Sequence, residues 1–222
     1  MSSNTPRIGI IIGSTREGRF GDKPAQWIHQ LAQQRTDLAF ELIDLRDHPL
    51  PFFAEPMSPA WAPVKNEAAQ RWAAKLATLD GLIVVTPEYN HGPSAVLKNA
   101  LDYAYKEFIR KPIGFVGYGG VGAARAVEQL RLVATELQMA PVRNAVHIGM
   151  VEFMGIWKQG KSFEDFPHLA QAATGLLDDM AWWSRGARPG SRLGRLRGIR
   201  ACGWSRYIAG RWSNRRKRGA VG

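Results

Sequence analysis

Apolar residues recur along this chain in two alternating rhythms. Arg7–Gly13 (RIGIIIG) is a short β-branched run closed by glycine, the mark of a strand buried on both faces. Asp22–Arg35 then spaces Ala25, Trp27, Ile28, Leu31 and Ala32 along one side of a helix. Leu38–Leu45 (LAFELIDL) alternates as a second strand and gives way to a Pro-rich loop, Pro49–Pro63. The pattern repeats: a helix over Val64–Thr78, a buried strand at Gly81–Val85, and a helix over Ser94–Ile109. A strand at Pro112–Tyr118, a helix from Ala123 to Leu137 and a fifth strand at Pro141–Ile148 follow. Met150–Phe166 shows no clean period and reads as irregular, before a last amphipathic helix from Pro167 to Trp183.

Strict β–α alternation over five repeats implies parallel strands joined by right-handed crossovers, with helices on both faces. A five-stranded sheet of this size fits the flavodoxin-like doubly wound order 2-1-3-4-5 better than a six-stranded dinucleotide fold. In that order a ligand sits beyond the carboxyl ends of strands 1, 3 and 4. The loops that matter are then Gly13–Asp22, Thr86–Pro93 and Tyr118–Gly122.

Composition sharpens the picture in one respect. The chain has 222 residues and a formal net charge of +11, but the excess is not spread along it. Twelve of its 30 Lys and Arg fall after residue 183 with no acid among them, leaving 18 basic and 19 acidic side chains in residues 1–183. The expected globular domain, residues 1–183, is therefore nearly neutral, and 184–222 is a basic Arg/Gly-rich tail. The apolar runs are too short to span a bilayer, and no signal-peptide pattern precedes Arg7. A lone cysteine, Cys202, fits a reducing cytoplasm and leaves no cysteine-cluster metal site; the five histidines lack ligand spacing, so no metal is expected.

The three loops carry the chemistry. GSTREGRFGD (Gly13–Asp22) leads a buried strand into a helix N-terminus, where free N–H groups and the helix dipole favour an anion. Ser14 and Thr15 offer hydroxyls, and Arg16 and Arg19 offer planar forks suited to phosphate. A solvated turn with Asp22 as N-cap accounts for the same residues. TPEYNHGP (Thr86–Pro93) is stiffened by Pro87 and Pro93, and Gly92 lets a ligand come close. Glu88, Tyr89 and Asn90 would present backbone groups to the edge of a flavin ring; alternatively Tyr89 and His91 merely cover the sheet. Ser94 is an expected N-cap, and Lys98 with Asp102 an expected helix-face pair. YGGVGAAR (Tyr118–Arg125) holds three glycines in five residues, and helix–strand crowding explains one of them more comfortably than all.

These motifs resemble the NAD(P)H-dependent FMN reductases of flavodoxin-like fold, a family that includes quinone, azo-dye and chromate reductases. The likeness runs over about residues 7–183. It is carried by PEYNHGPSAVLKNALD (Pro87–Asp102), GSTREGR (Gly13–Arg19) and YGGVGAAR, in which Ala123 stands where the family often has glycine. The resemblance implies that Ser14, Arg16, Arg19, Phe20 and Gly21 belong to the FMN phosphate loop. It implies likewise that Pro87, Glu88, Tyr89, Asn90, Gly119 and Gly120 line the isoalloxazine. NADPH or NADH would supply hydride, a small acceptor would take it at the same ring face, and no side-chain acid, base or nucleophile is assigned. A homodimer or homotetramer is expected, with Phe52, Phe53, Trp61, Phe153, Met154, Ile156 and Trp157 bordering a substrate pocket or an interface. The alternative in another class is a flavodoxin-type electron carrier, against which the neutral body, Arg16 and Arg19 argue. For the tail, three readings stand: nucleic-acid or anionic-membrane binding through its arginines, Trp204, Tyr207 and Trp212; a disordered extension; or out-of-frame text. The abrupt change of composition inside a terminal helix favours the last.

Overall fold

Five parallel strands form one sheet in the order β2-β1-β3-β4-β5: β1 (Arg7–Ile12), β2 (Ala39–Asp44), β3 (Gly81–Pro87), β4 (Pro112–Tyr118) and β5 (Ala140–Ile148). This is the order the alternation implies. The computed structural model describes residues 5–186. The proposed tail from residue 187 onward therefore lies outside the described residues.

The middle strands explain their own sequences. Every residue of β3 and β4 is buried, so neither can spare a polar position for one solvent face. One side of the sheet packs Ile8, Ile10 and Ile12 against α1 (Asp22–Gln33) and α6 (Pro167–Gly186), through Ile28, Leu176 and Met180. The other side packs Ile11, Val84 and Phe115 beneath α2 (Glu67–Ala77), α3 (Ala95–Asp102) and α4 (Ala124–Glu136), through Trp72, Leu101 and Leu130. Residues facing opposite ways along β1 feed different cores, as the period-two pleat requires.

Four differences from the sequence pattern exceed a residue or two. Helix α2 starts at Glu67 rather than Val64, because the Asn66 side chain caps it, accepting from Ala69 N at 3.1 Å. Just before it, Glu55 Oε1 accepts the amides of Lys65 and Asn66 at 3.0 and 2.9 Å, holding that segment out of the helix. Helix α3 stops at Asp102 rather than Ile109; Tyr103 is buried edge-on to Phe53, and the chain continues in turns. The third difference is larger. Met150–Phe166 is not irregular but holds α5 (Met150–Lys158) and a short 3-10 turn, Phe163–Asp165. Its sequence, MVEFMGIWK, is apolar on nearly every side, so no polar face marks the helical period. α6 also runs three residues past Trp183: Ser184 is buried, and Arg185 reaches Asp37 at 2.6 Å.

Candidate cofactor-binding site

The ladder brings Ile12 opposite Val85 and Pro87 opposite Tyr118, so β1, β3 and β4 end side by side. The three loops leaving them enclose a cleft of about 360 Å³. From the first loop it is lined by Arg16, Gly18, Arg19 and Phe20, and from the second by Pro87, Glu88 and Tyr89. Tyr118 and Gly119 close the third side, and Phe153 and Trp157 of α5 a fourth.

The first loop is locked from within. Arg19's side chain is only 2% exposed, and its guanidinium is fully engaged. Nε donates to Asp22 Oδ1 at 2.9 Å, Nη1 to Asp44 Oδ1 at 2.7 Å and to the Ser14 carbonyl at 2.5 Å, and Nη2 to both carboxylates. The Asp44 contacts, against the opposing effect of burial, raise the Arg19 pKa further above its ordinary value. Arg19 thus reads as a brace tying the loop to the end of β2. Asp22 has a different task from the N-cap the sequence suggests: Gly21 is the N-cap, with no side-chain bond, and Asp22 is the first helical residue, paired with Arg19. Arg16 is exposed, and among the described residues no ion pair holds its guanidinium.

Hydroxyls gather behind Arg16. Ser14 is 1% exposed and shares a hydrogen bond with the Tyr89 hydroxyl at 2.9 Å, and the Arg16 amide donates to Ser14 Oγ at 3.4 Å. Tyr118's hydroxyl faces Ser14 as well, and burial raises its pKa well above a free phenol's. It also stands 2.8 Å from where a Cβ on Gly21 would lie, so a side chain at 21 would push it away. The cleft is therefore lined by Tyr89, Tyr118 and Arg16, whose guanidinium no ion pair holds among the described residues, with the Ser14 hydroxyl buried behind them, a donor set suited to a phosphate ester.

The second loop is a turn of unusual make-up. Tyr89 and Gly92 exchange backbone bonds of 2.9 and 3.1 Å, with Asn90 (φ 49°) and His91 (φ 73°) both left-handed between them. That is the two-residue hairpin geometry usually given to Asn-Gly, here carried by Asn-His. Pro87, Glu88 and Tyr89 face the cleft, whereas Asn90 sits exposed at the turn's tip. Ser94 behaves as its position suggests, accepting from Leu97 N at 3.3 Å and donating to the Gly13 carbonyl, which joins the second loop to the first. Lys98 and Asp102 pair at 2.7 Å.

In the third loop Gly119 (φ 135°) and Gly122 (φ 62°) take backbone angles other residues rarely adopt. Gly120 has no such need; it is exposed beside Met150 and outside the lining. Ala123, the position differing from the family's usual glycine, is itself left-handed at φ 54°. The alanine therefore puts a Cβ on a left-handed backbone position, which glycine takes without cost.

The comparisons with known proteins decide the family. Residues 6–152 match the family described as NADPH-dependent FMN reductase. The chain belongs to the NADPH-dependent FMN reductase family. An NAD(P)H-dependent FMN reductase of Schizosaccharomyces pombe is 39% identical over 137 residues, which cover 61% of this chain and 68% of that one. A 2-hydroxy-1,4-benzoquinone reductase of Burkholderia is 31% identical over 140 residues, covering 60% and 72%. Among solved structures, the FerB flavoenzyme of Paracoccus denitrificans, an NAD(P)H:(acceptor) oxidoreductase, superposes with a TM-score of 0.62 at 22% identity, over 81% of this chain and 97% of that one. That likeness shows the fold. For this FMN reductase family member, Tyr118, Phe153 and Trp157 are cleft residues that sequence reasoning did not assign to the cofactor. Tyr118 opens the third loop but reads as the end of a buried strand, and Phe153 and Trp157 are expected at a substrate pocket or an interface rather than at the cofactor. Both lie beyond the matched residues 6–152.

Proposed function

We propose that this chain is an FMN-dependent oxidoreductase. It passes hydride from NADPH or NADH, through FMN held in the cleft, to a small acceptor such as a quinone, an azo compound, free flavin or a metal oxyanion. The observation that supports this most is the pairing of two unlike surfaces in one cleft. Arg16, with the buried Ser14–Tyr89 hydroxyl pair behind it, offers phosphate donors, and Pro87–Tyr89 and Gly119 line the same cleft from the other two loops. FMN, when bound, supplies reversible hydride acceptance, chemistry no amino-acid side chain can perform.

The chain's own residues bind, orient and shield. Ser14 Oγ and the Arg16 guanidinium take the phosphate, with the Tyr89 hydroxyl, already on Ser14, as a further donor. Arg19 keeps that loop in place through Asp22 and Asp44. Pro87–Tyr89 and Gly119 support the ring, and Phe20, Phe153 and Trp157, whose neighbouring ring centroids lie 4.7 to 5.0 Å apart, close the apolar side against water. No side chain is needed as an acid or base. Hydride donor and acceptor share one face, so steady-state kinetics are ping-pong; an acceptor that binds before the oxidised dinucleotide leaves contradicts this.

The assembly proposed is a homodimer or homotetramer. Phe52 and Trp61, in the loop between β2 and α2, are 82% and 71% exposed, large apolar surfaces that a second copy would cover. Sedimentation giving the mass of one subunit rejects it. A cytoplasmic location follows from the need for NADPH or NADH. The test of the whole reading is spectroscopic: the purified protein with added FMN should turn yellow and bleach with NADPH in the absence of a partner protein.

A further inference from the structure

Helix α4 begins without a cap of its own. Its N-cap residue, Ala123, is left-handed and has no side chain to offer. The amides a local Ser or Asp would satisfy are instead taken by Glu88, from the second loop: Arg125 N at 3.2 Å and Ala126 N at 3.4 Å, both to Oε2. Arg125 Nε donates to Oε1 at 2.6 Å, and Arg125 Nη2 also pairs with that oxygen. One turn along the same helix, Gln129 Nε2 donates to the His91 carbonyl at 2.6 Å. α4 therefore grips both ends of the Tyr89–Gly92 turn.

The grip has a task. Asn90 and His91 lie in the left-handed region, which non-glycine residues hold only when their surroundings over-determine it. The Glu88 side chain is 5% exposed although that of its partner Arg125 is 47% exposed, so the carboxylate sits inside the cleft wall while the guanidinium faces outward. Both carboxylate oxygens accept from donors on α4, which fixes the position of the Glu88 side chain.

We propose that Glu88 and Gln129 are positioning residues that set the depth and angle of the flavin wall by fastening the Tyr89–Gly92 turn to helix α4. The proposal rests on the FMN cleft described above and deepens it. It gives Glu88 a side-chain role distinct from the backbone role of its neighbours.

The test uses the full chain with E88A, E88Q and Q129A. FMN affinity by fluorescence quenching, flavin midpoint potential, kcat and KM for NADPH at saturating FMN, and Tm are measured together. E88A should weaken FMN binding at least tenfold and shift the midpoint potential. E88Q, which keeps one acceptor oxygen for Arg125, should recover most of both. Q129A should weaken binding about threefold, and E88A/Q129A less than the product of the single changes, because both act on one turn. A fall in Tm with FMN affinity, potential and kcat unchanged in all three variants overturns the proposal. If E88A does not fold, Q129A carries the same reading. Amide exchange at Tyr89 and Gly92 reads the brace without FMN: E88A and Q129A should speed it several-fold and E88Q less, and exchange unchanged in Q129A overturns the proposal. A wild-type protein that never quenches FMN removes the cleft reading instead, whatever the exchange shows.

Discussion

The first and second loops line one cleft and are held in different ways. Gly13–Asp22 carries its own ion cluster around a buried guanidinium, with Arg19 drawn to Asp22 within the loop and to Asp44 at the next strand's end. Tyr89–Gly92 has no such centre; it is held by a neighbouring helix, through Glu88 and Gln129. A loop that must present a charged guanidinium to a phosphate gains from an anchor of fixed charge behind it. A loop that must offer bare backbone to a flat ring cannot keep a bulky cluster at that surface, so its supports stand behind it, on α4.

The contrast predicts different failures. The largest effect should come from Arg19→Ala, which leaves Asp22 and Asp44 without their cation. Removing one partner of a fully buried pair costs 3–5 kcal/mol; because both acids keep contact with water, about 2–3 kcal/mol is expected here, read by urea unfolding. Arg16→Ala in the same loop should leave stability unchanged and weaken FMN about tenfold, roughly 1.4 kcal/mol, measured by fluorescence titration. If the two arginines exchange these signatures, the brace and the phosphate ligand have been assigned the wrong way round.

Acid should loosen both loops. Burial pushes the Asp44 and Glu88 carboxyls up, but Arg19 and the Arg46 amide on one, and Arg125 and the α4 amides on the other, outweigh it and leave both below the ordinary carboxylate range. A folded-state pKa below the unfolded one means stability that is present above about pH 4 and lost as pH falls through the folded values. Melting temperature should therefore drop more steeply below pH 4 in the wild type than in D44N or E88Q. Equal slopes would mean the carboxylates carry no such linkage.

The smallest effect sharpens the second loop alone. His91→Gly relieves a left-handed side chain at φ 73° but frees the unfolded chain, a net stabilisation of about 0.5 kcal/mol. FMN affinity should nonetheless fall slightly as the turn loosens. A destabilised H91G would show that the His91 side chain holds the turn.

What the sequence revealed follows from the range of each interaction. β3 and β4 announced themselves because burial on both faces leaves an unbroken apolar run, and five alternations left few sheet orders to consider. The three loops were legible because their residue types are chemically unusual. Arg19's role was not: it rests on Asp44, 25 residues away in sequence, and a guanidinium in a phosphate-like loop looks the same before that partner is known. Glu88 met the same limit, since its donors lie 37 and 38 residues on. Ser94, whose partner Leu97 is three residues away, was read correctly for the converse reason. α5 escaped because an all-apolar helix has no period to see.

The claim beneath all of this is that three turns at one end of a parallel sheet hold FMN, and its most direct measurement is a titration of the purified protein into micromolar FMN. The account predicts quenching that saturates at one FMN per chain, with a yellow complex that NADPH alone bleaches. FMN fluorescence that stays unquenched by the folded protein would contradict it.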